Sequence, residues 1–145
     1  MFEEKLRTLF SPGSVAVIGA SETFEKLGYH VMKSLIKGNY RGSIYPVNPN
    51  LKTVWGIKSY SSVLDTDGPI DLAIIVVPAR TVPELVDQCG KKGVNGAVVI
   101  TAGYKEAEGE EGRILEEEIR RISKRYEIPI IGPNTFGFVN LTDKV

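Results

Sequence analysis

The sequence predicts an α/β fold: a Rossmann-like parallel sheet with helices on both faces, forming a single domain over residues 1–145. Short apolar runs, clearest at 15–18 and 71–77, suit strands that are covered on both faces. Segments of helical periodicity separate these runs, which is typical of right-handed βαβ units in a parallel sheet. Glycine and proline interrupt the chain where the apolar runs stop, and so mark the strand ends.

Five strands are predicted, over residues 15–19, 43–47, 71–77, 97–100 and 128–131. Four helices are predicted from apolar stripes, which are carried by Phe2, Leu6, Leu9 and Phe10, by Val31, Met32, Leu35 and Ile36, by Val82, Leu85, Val86 and Cys89, and by Leu115, Ile119, Ile122 and Tyr126. Gly38-Asn39 ends the second helix. Thr81 and Glu84 form a capping-box pattern that opens the third. Residues 50–69 are rich in turn formers, with a short helix expected around 61–64.

Composition narrows the class of protein. Of the 145 residues 42% are hydrophobic and 25% are charged, which is ordinary for a globular domain, and the formal net charge is +0. This balance argues against general affinity for nucleic acids or anionic membranes, which requires a basic surface. No apolar run approaches the about 20 residues of a membrane span. With one cysteine and no secretory leader pattern, we expect a cytoplasmic location.

Small and polar residues follow all five predicted strands. They are Gly19-Ala20-Ser21, Asn48-Pro49-Asn50, Pro78-Ala79-Arg80, Thr101-Ala102-Gly103 and Gly132-Pro133-Asn134-Thr135. The carboxyl ends of parallel strands meet at one edge of the sheet, which is where open α/β sheets bind their ligands. Five such loops together indicate a binding site at this edge.

The first strand points to a phosphate-bearing ligand. Gly19 allows a tight turn after the strand, and a helix that begins near Gly28 directs its positive dipole end at the same space. The sequence has neither the Gly-x-Gly-x-x-Gly fingerprint nor an acidic residue at the end of the second strand. Because no carboxylate stands there, a ribose phosphate is tolerated, with Lys26 or Lys52 as its counter-charge. This pattern disfavours NAD and is compatible with NADP or coenzyme A (CoA).

Five segments, in order and at natural spacing, resemble a known family. They are SVAVIGAS (14–21), YPVNP (45–49), DLAIIVVPA (71–79), GAVVITAG (96–103) and IGPN (131–134). Together they are similar to the N-terminal CoA-binding domain of NDP-forming acyl-CoA synthetases. That family includes the ADP-forming acetate–CoA ligases and the α subunit of succinyl-CoA ligase.

The resemblance implies a role for each loop. The turn at Gly19 and Ala20 and the segment from Ser21 to Gly28, with Lys26, would contact the CoA phosphates. Asn48, Pro49 and Lys52 would lie by the adenosine and its ribose phosphate. Val77, Pro78 and Ala79 would line the path of the adenine or pantetheine. Thr101, Ala102 and Gly103 would follow the pantetheine, and Asn134 would stand near the thiol. Two positions depart from the family: Asn50 stands where succinyl-type members have lysine, and Thr135 where many members have cysteine.

The resemblance also implies partners. Family synthetases pass a phosphoryl group through a histidine on a second domain and bind the nucleotide in an ATP-grasp domain. We therefore expect this chain to bind CoA or acyl-CoA and to need those further domains, or a subunit that carries them, for the reaction. Two alternatives stay open: a stand-alone CoA-binding regulatory module and an NAD(P)-binding sensor. The acyl group is not specified by the sequence, and a homo-oligomer is compatible with it.

No residue in the chain is a candidate for catalysis or for binding a metal. The sequence has no Gly-x-Ser-x-Gly elbow, paired catalytic carboxylates or metal-ligand cluster. His30, the only histidine, falls on the polar face of its helix and is expected to be solvated. Cys89 falls on an apolar stripe and is expected to be a buried hydrophobic residue. Trp55 and Tyr60 either flank an adenine or cover an edge of the core.

Overall fold

The computed structural model describes residues 2–101, 109–133, 135, 137, 138 and 140–145. Its helices are α1 (Phe2–Phe10), α2 (Leu27–Lys37), α3 (Val82–Lys92) and α4 (Glu110–Tyr126). Its strands are β1 (Ser14–Ile18), β2 (Ser43–Val47), β3 (Thr53–Val54), β4 (Ile57–Lys58), β5 (Leu72–Ile75), β6 (Gly96–Val99) and β7 (Ile130–Ile131). Two short 3₁₀ turns, Val63–Asp65 and Ala79–Thr81, complete the described secondary structure.

Five strands form one parallel sheet in the order β2-β1-β5-β6-β7, while β3 and β4 form a separate antiparallel hairpin. All four strand pairs in the large sheet are parallel, as the sequence predicts. The last strand is shorter than predicted, because the Ile128 amide donates to Ser123 O at the end of α4. Pro129, which follows it, has no amide hydrogen to offer the sheet.

Helices cover both faces of the sheet, and side chains alternate between two cores. Ala16 and Ile18 of β1 face the core that includes Val86 of α3 and Ile119 of α4. The opposite core is formed by side chains of α1, α2 and the other sheet face, including Leu9, Val15, Val17, Met32, Leu35, Leu72 and Val98. All of β1 is buried, which explains the apolar run from Val15 to Ile18.

The start of α3 differs from the prediction. Thr81 belongs to the 3₁₀ turn that runs into the helix, and its backbone is helical (φ −90°, ψ −13°) rather than extended. Its hydroxyl donates to Pro78 O at 2.8 Å and does not cap the helix. The predicted capping box at Thr81 and Glu84 is therefore wrong, because a capping side chain requires an extended backbone at that residue.

Helix α1 contacts the sheet, the end of α4 and the segment around Asn140. Leu9 is completely buried and packs against Gly96, where a Cβ would collide with the leucine side chain. The Lys5 ammonium donates to the carbonyls of Tyr126 and Glu127 at the end of α4. The side-chain Nδ2 of Asn140 donates to Phe10 O at 2.7 Å. The first helix is thus part of the core and of the framework around it.

Replacing Leu9 with Ala should lower the free energy of unfolding by about 2–5 kcal/mol, the usual cost of a leucine-sized cavity in a packed core. Arg7→Ala, an exposed position on the same helix, is the matched control and should change it by less than about 0.5 kcal/mol. Urea denaturation followed by circular dichroism measures both. Equal stability of the two variants would show that α1 does not contribute to the core.

Candidate functional site

The strand order places a crevice at the carboxyl ends of β1 and β5. After β1 the chain crosses to β2 on one side of β1. The later strands lie on the other side of β1, in the order β5, β6 and β7. Loops that leave adjacent strands in opposite directions open a crevice between them, and open α/β sheets bind ligands there. The candidate residues after β1 (Gly19, Ala20 and Ser21) and after β5 (Val77, Pro78 and Ala79) follow these two strands.

Two glycines bring helix α2 directly onto the end of β1. Gly19 has φ +97°, and a Cβ there would lie 2.5 Å from Val76 O. Gly28 is buried in the first turn of α2, and a Cβ there would overlap the carbonyl oxygen of Gly19. The sheet, the turn and the positive end of an 11-residue helix therefore meet at one point, as the sequence predicts.

The loop that connects them, residues 19–26, starts buried and becomes exposed. Ser21 is 4% exposed, and its hydroxyl accepts a hydrogen bond from the Thr23 amide at 2.9 Å. The Lys26 amide donates to Thr23 O at 3.0 Å, which closes the loop one residue before α2. The Lys26 side chain is exposed at the N-cap position, where no side chain caps the helix.

The loop after β2 supports the loop after β1. The Asn48 side chain donates to Ala20 O at 2.9 Å and accepts from the Asn50 amide at 2.9 Å. Pro49 and Lys52 are exposed beyond it, and neither Lys26 nor Lys52 forms an ion pair within the described residues. Asn48 thus shapes the site by holding Ala20, while both lysine ammonium groups stay available to an anion.

The loops after β5 and β6 are joined at their first residues. Thr101 follows β6, and its hydroxyl donates to Val77 O at 2.6 Å. Val77 and Ala79 are half-buried and Pro78 is exposed. Three further predicted residues, Ala102, Gly103 and Asn134, lie outside the described residues. The structure therefore brings the described candidates to one edge of the sheet, in two neighbouring pairs of loops.

The sequence prediction missed the β3–β4 hairpin. Trp55 and Gly56 form its two-residue turn with φ +54° and +74°, as a type I′ turn requires. The Trp55 indole N–H donates to Ser21 O at 3.2 Å, and the Trp55 amide donates to Glu22 Oε1 at 2.7 Å. The Trp-Gly pair between two short alternating segments was the available sequence signal.

Tyr60 belongs to the framework and not to the ligand site. It is 9% exposed, and its hydroxyl donates to Asp67 at 2.7 Å, which raises the pKa of Tyr60 and lowers that of Asp67. Lys58 lies 3.5 Å from the same carboxylate and further lowers its pKa. Of the two positions considered for Tyr60, the structure supports the one at the edge of the core.

The other conspicuous side chains behave as predicted. His30 is exposed and lies edge-on to Phe24 and Tyr29, with ring centroids 5.1 Å away in each case. Cys89 is completely buried, and desolvation raises its pKa to about 12, so the thiol is not a nucleophile at neutral pH. Within the described part of the chain no three potential metal ligands come together, and no helix has the length and apolar character needed to cross a membrane.

A groove of about 520 Å³ lies between α2 and the adjacent sheet face. Its floor is formed by apolar side chains of β5 and β6 and the residue after β6: Leu72, Ile74, Val98 and Ile100. None of the predicted binding residues that the structure describes lines this groove. The candidate site is therefore the loop edge of the sheet and is distinct from the groove.

Comparison with known proteins identifies the family. Residues 13–140 match the family described as the CoA binding domain. The chain belongs to this CoA-binding domain family. The matched range contains every residue of the candidate site, from Gly19 to Asn134.

Relatives of this CoA-binding domain include ADP-forming ligases. It is 52% identical over 136 residues to an ADP-forming acetate–CoA ligase of Methanocaldococcus jannaschii, covering 94% of this chain and 19% of the relative. It is 49% identical over 131 residues to the α subunit of ADP-forming acetate–CoA ligase II of Pyrococcus furiosus, covering 90% and 28% respectively. The chain thus spans between a fifth and a third of the length of these two relatives.

A solved structure has the same fold. The dinucleotide-forming acetyl-coenzyme A synthetase 1 of Ca. Korarchaeum cryptofilum, in complex with phosphate and ADP, matches with a TM-score of 0.91 at 38% identity. The match covers 97% of this chain and 30% of that one. The Rossmann-like fold and the resemblance to ADP-forming acyl-CoA synthetases are both confirmed.

Gly28→Ala should destabilise the CoA-binding domain, because the new Cβ would overlap the Gly19 carbonyl and push α2 away from β1. The expected loss is about 1–3 kcal/mol of unfolding free energy, as for other overpacked sites. Lys33→Ala, an exposed position on the same helix, is the control and should leave stability within about 0.5 kcal/mol. Urea denaturation of both variants tests this, and an unchanged midpoint for Gly28→Ala would contradict the close contact.

Proposed function

We propose that this chain binds CoA at the carboxyl edge of its sheet, as the CoA-binding domain of an NDP-forming acyl-CoA synthetase. The observation that carries the proposal is the contact of Gly28 with Gly19, which seats the N-terminus of α2 on the end of β1. Backbone N–H groups and the helix dipole at such a junction favour a phosphate. Membership of the CoA-binding family supports CoA as the molecule that carries it.

Each loop receives a role in this proposal. The 19–26 loop, with Ser21 and the ammonium of Lys26, binds the CoA phosphates. Lys52 meets the ribose phosphate, and Pro49 lies by the adenosine. Asn48 lies by the adenosine with Pro49 and also holds the loop after β1, because its side chain donates to Ala20 O.

The reactive end of CoA lies farther along the edge. Val77, Pro78 and Ala79 line the path of the adenine or pantetheine, and Thr101 ties this loop to the one after β6. Ala102 and Gly103 continue the pantetheine path, and Asn134 stands near the thiol. The domain holds the thiol toward a neighbouring domain and supplies no catalytic residue of its own.

In the complete synthetase an acyl-CoA, ADP and phosphate yield the acid, CoA and ATP. The phosphoryl group passes through a histidine on a second domain, and an ATP-grasp domain binds the nucleotide. The relatives are three to five times longer than the part this chain matches, which leaves room for such domains. The genomic context distinguishes the synthetase from a stand-alone regulatory module. A coding sequence for the histidine and ATP-grasp domains, adjoining or continuous with the coding sequence of this chain, supports the synthetase. The absence of such a coding sequence supports the module.

Calorimetric titration tests CoA binding against the second candidate, an NAD(P)-binding sensor. We expect CoA to bind in a one-to-one complex and NADH and NADPH to give no comparable heat, because neither dinucleotide has a pantetheine arm. Binding of NADPH without any response to CoA would overturn the proposal. Desulfo-CoA is a useful control, since it should bind like CoA if the thiol only projects from the site.

The role of the two lysines is tested with 3′-dephospho-CoA. Wild-type protein should bind CoA more tightly than the dephosphorylated form by about 2- to 5-fold, the range expected for an exposed ion pair. Lys52→Ala should abolish this difference, whereas Lys26→Ala should weaken both ligands equally. Equal affinity of the wild-type protein for both ligands would remove the ribose-phosphate role, and loss of discrimination in Lys26→Ala would transfer it to Lys26.

A further inference from the structure

We propose that Trp55 is a positioning residue that sets the conformation of the 19–26 loop for phosphate binding, without touching the ligand itself. This inference rests on the proposed function, because it names the residue that prepares the same site. Its basis is the two hydrogen bonds from Trp55 to the loop and the position of Trp55 at the tip of the β3–β4 hairpin.

The 19–26 loop depends on contacts from outside itself. Residues 22–27 are all exposed, and α2 begins without a side-chain cap. Trp55 contacts both ends of this exposed stretch: it donates to Ser21 O and to Glu22 Oε1 at one end, and its ring lies 5.2 Å from that of Tyr29 at the other. One residue of the hairpin therefore bridges the whole loop.

The hydrogen bonds to the loop carbonyls also orient its amide groups. Ala20 O accepts from Asn48, and Ser21 O accepts from Trp55, so both carbonyls point toward the β2 end and the hairpin. In a trans peptide the following N–H points the opposite way, and Gly132-Pro133 is the one cis bond in the described residues. The Ser21 amide therefore points away from Asn48, and the Glu22 amide points away from the hairpin. N–H groups turned to the same side are what a phosphate binds.

The hairpin is anchored to the core and to the loop after β2. Val54 is completely buried in the core, the Ser59 amide donates to Lys52 O, and the Ser59 hydroxyl donates to Asn48 O. Trp55 itself adopts φ +54° in a turn position that Asn, Asp or Gly usually occupies. A large aromatic residue is held there by its contacts with the loop.

Two substitutions test the acceptor on the loop. Glu22→Gln and Glu22→Ala remove the same charge, but only Glu22→Gln retains an oxygen that can accept from the Trp55 amide. We expect Glu22→Ala to bind CoA about 3- to 10-fold more weakly than Glu22→Gln, the effect of one hydrogen bond. Glu22 is exposed, so both variants should fold. Equal affinity of the two would overturn the inference.

Trp55→Phe tests the indole directly, since it keeps an aromatic ring and removes the N–H. CoA and 4′-phosphopantetheine, which lacks the adenine, should both bind about 3- to 10-fold more weakly to this variant. Weaker binding of CoA alone would mean that the indole stacks on the adenine, and unchanged binding of both would mean that it has no role. Either result overturns the inference. Thr53→Ala, an exposed position on the same hairpin, is the control and should bind like the wild type.

Fluorescence supplies an independent readout. Trp55 is the only tryptophan in the chain, so the emission spectrum reports on its environment alone. In the absence of ligand, Glu22→Ala should shift the emission maximum to longer wavelength relative to Glu22→Gln, because a hairpin released from the loop exposes the indole. Identical spectra would contradict the bridging role. If wild-type protein fails to bind CoA at all, the proposed function fails and the inference falls with it; if wild type binds and these variants match it, only the inference fails.

Discussion

The candidate site depends on a close contact between two backbones. Helix α2 reaches the end of β1 only because Gly28 has no Cβ to strike the Gly19 carbonyl, and Gly19 in turn can lie against Val76 O for the same reason. This contact places the helix N-terminus over the crevice between β1 and β5. A longer separation would weaken the dipole's effect on an anion, which falls off within the first turn of a helix.

The polar side chains around this junction fall into two groups: some hold neighbouring loops together, and others are free of ion pairs among the described residues. Asn48, Thr101 and Trp55 donate their side-chain hydrogens to backbone carbonyls of neighbouring loops. Lys26 and Lys52 remain exposed without ion pairs among the described residues. In the proposed function, oriented backbone amides and exposed cations bind the anion, while the neutral polar side chains hold the loops in place.

The same division is consistent with the role proposed for this chain, which is to bind a ligand. The described part of the chain brings together no metal-ligand cluster, and its one cysteine is buried with a raised pKa. We find its chemistry in the shape and charge of one sheet edge. Such an edge can hold the adenylate end of a long ligand and leave the other end free for a separate domain.

Much of this fold follows from local sequence patterns. Apolar runs, helical stripes and the glycines after β1 predict the five parallel strands, the covering helices and the binding edge, because burial on two faces and tight turns restrict residue types at each position. The predicted ends of helices and strands were less exact where a contact in the folded chain overrode the preference of the local sequence. Thr81 matches a capping box, but a 3₁₀ turn holds its backbone in a helical conformation, and its hydroxyl bonds to Pro78 instead.

The tertiary structure alone decided which distant segments support the site. Trp55 bonds to residues 33 and 34 positions away, and Asn48 to one 28 positions away. All but one of these acceptors are backbone carbonyls, which every residue possesses, so no sequence pattern marks them. The strand order brings the loops together, and only then does a side chain find its partner.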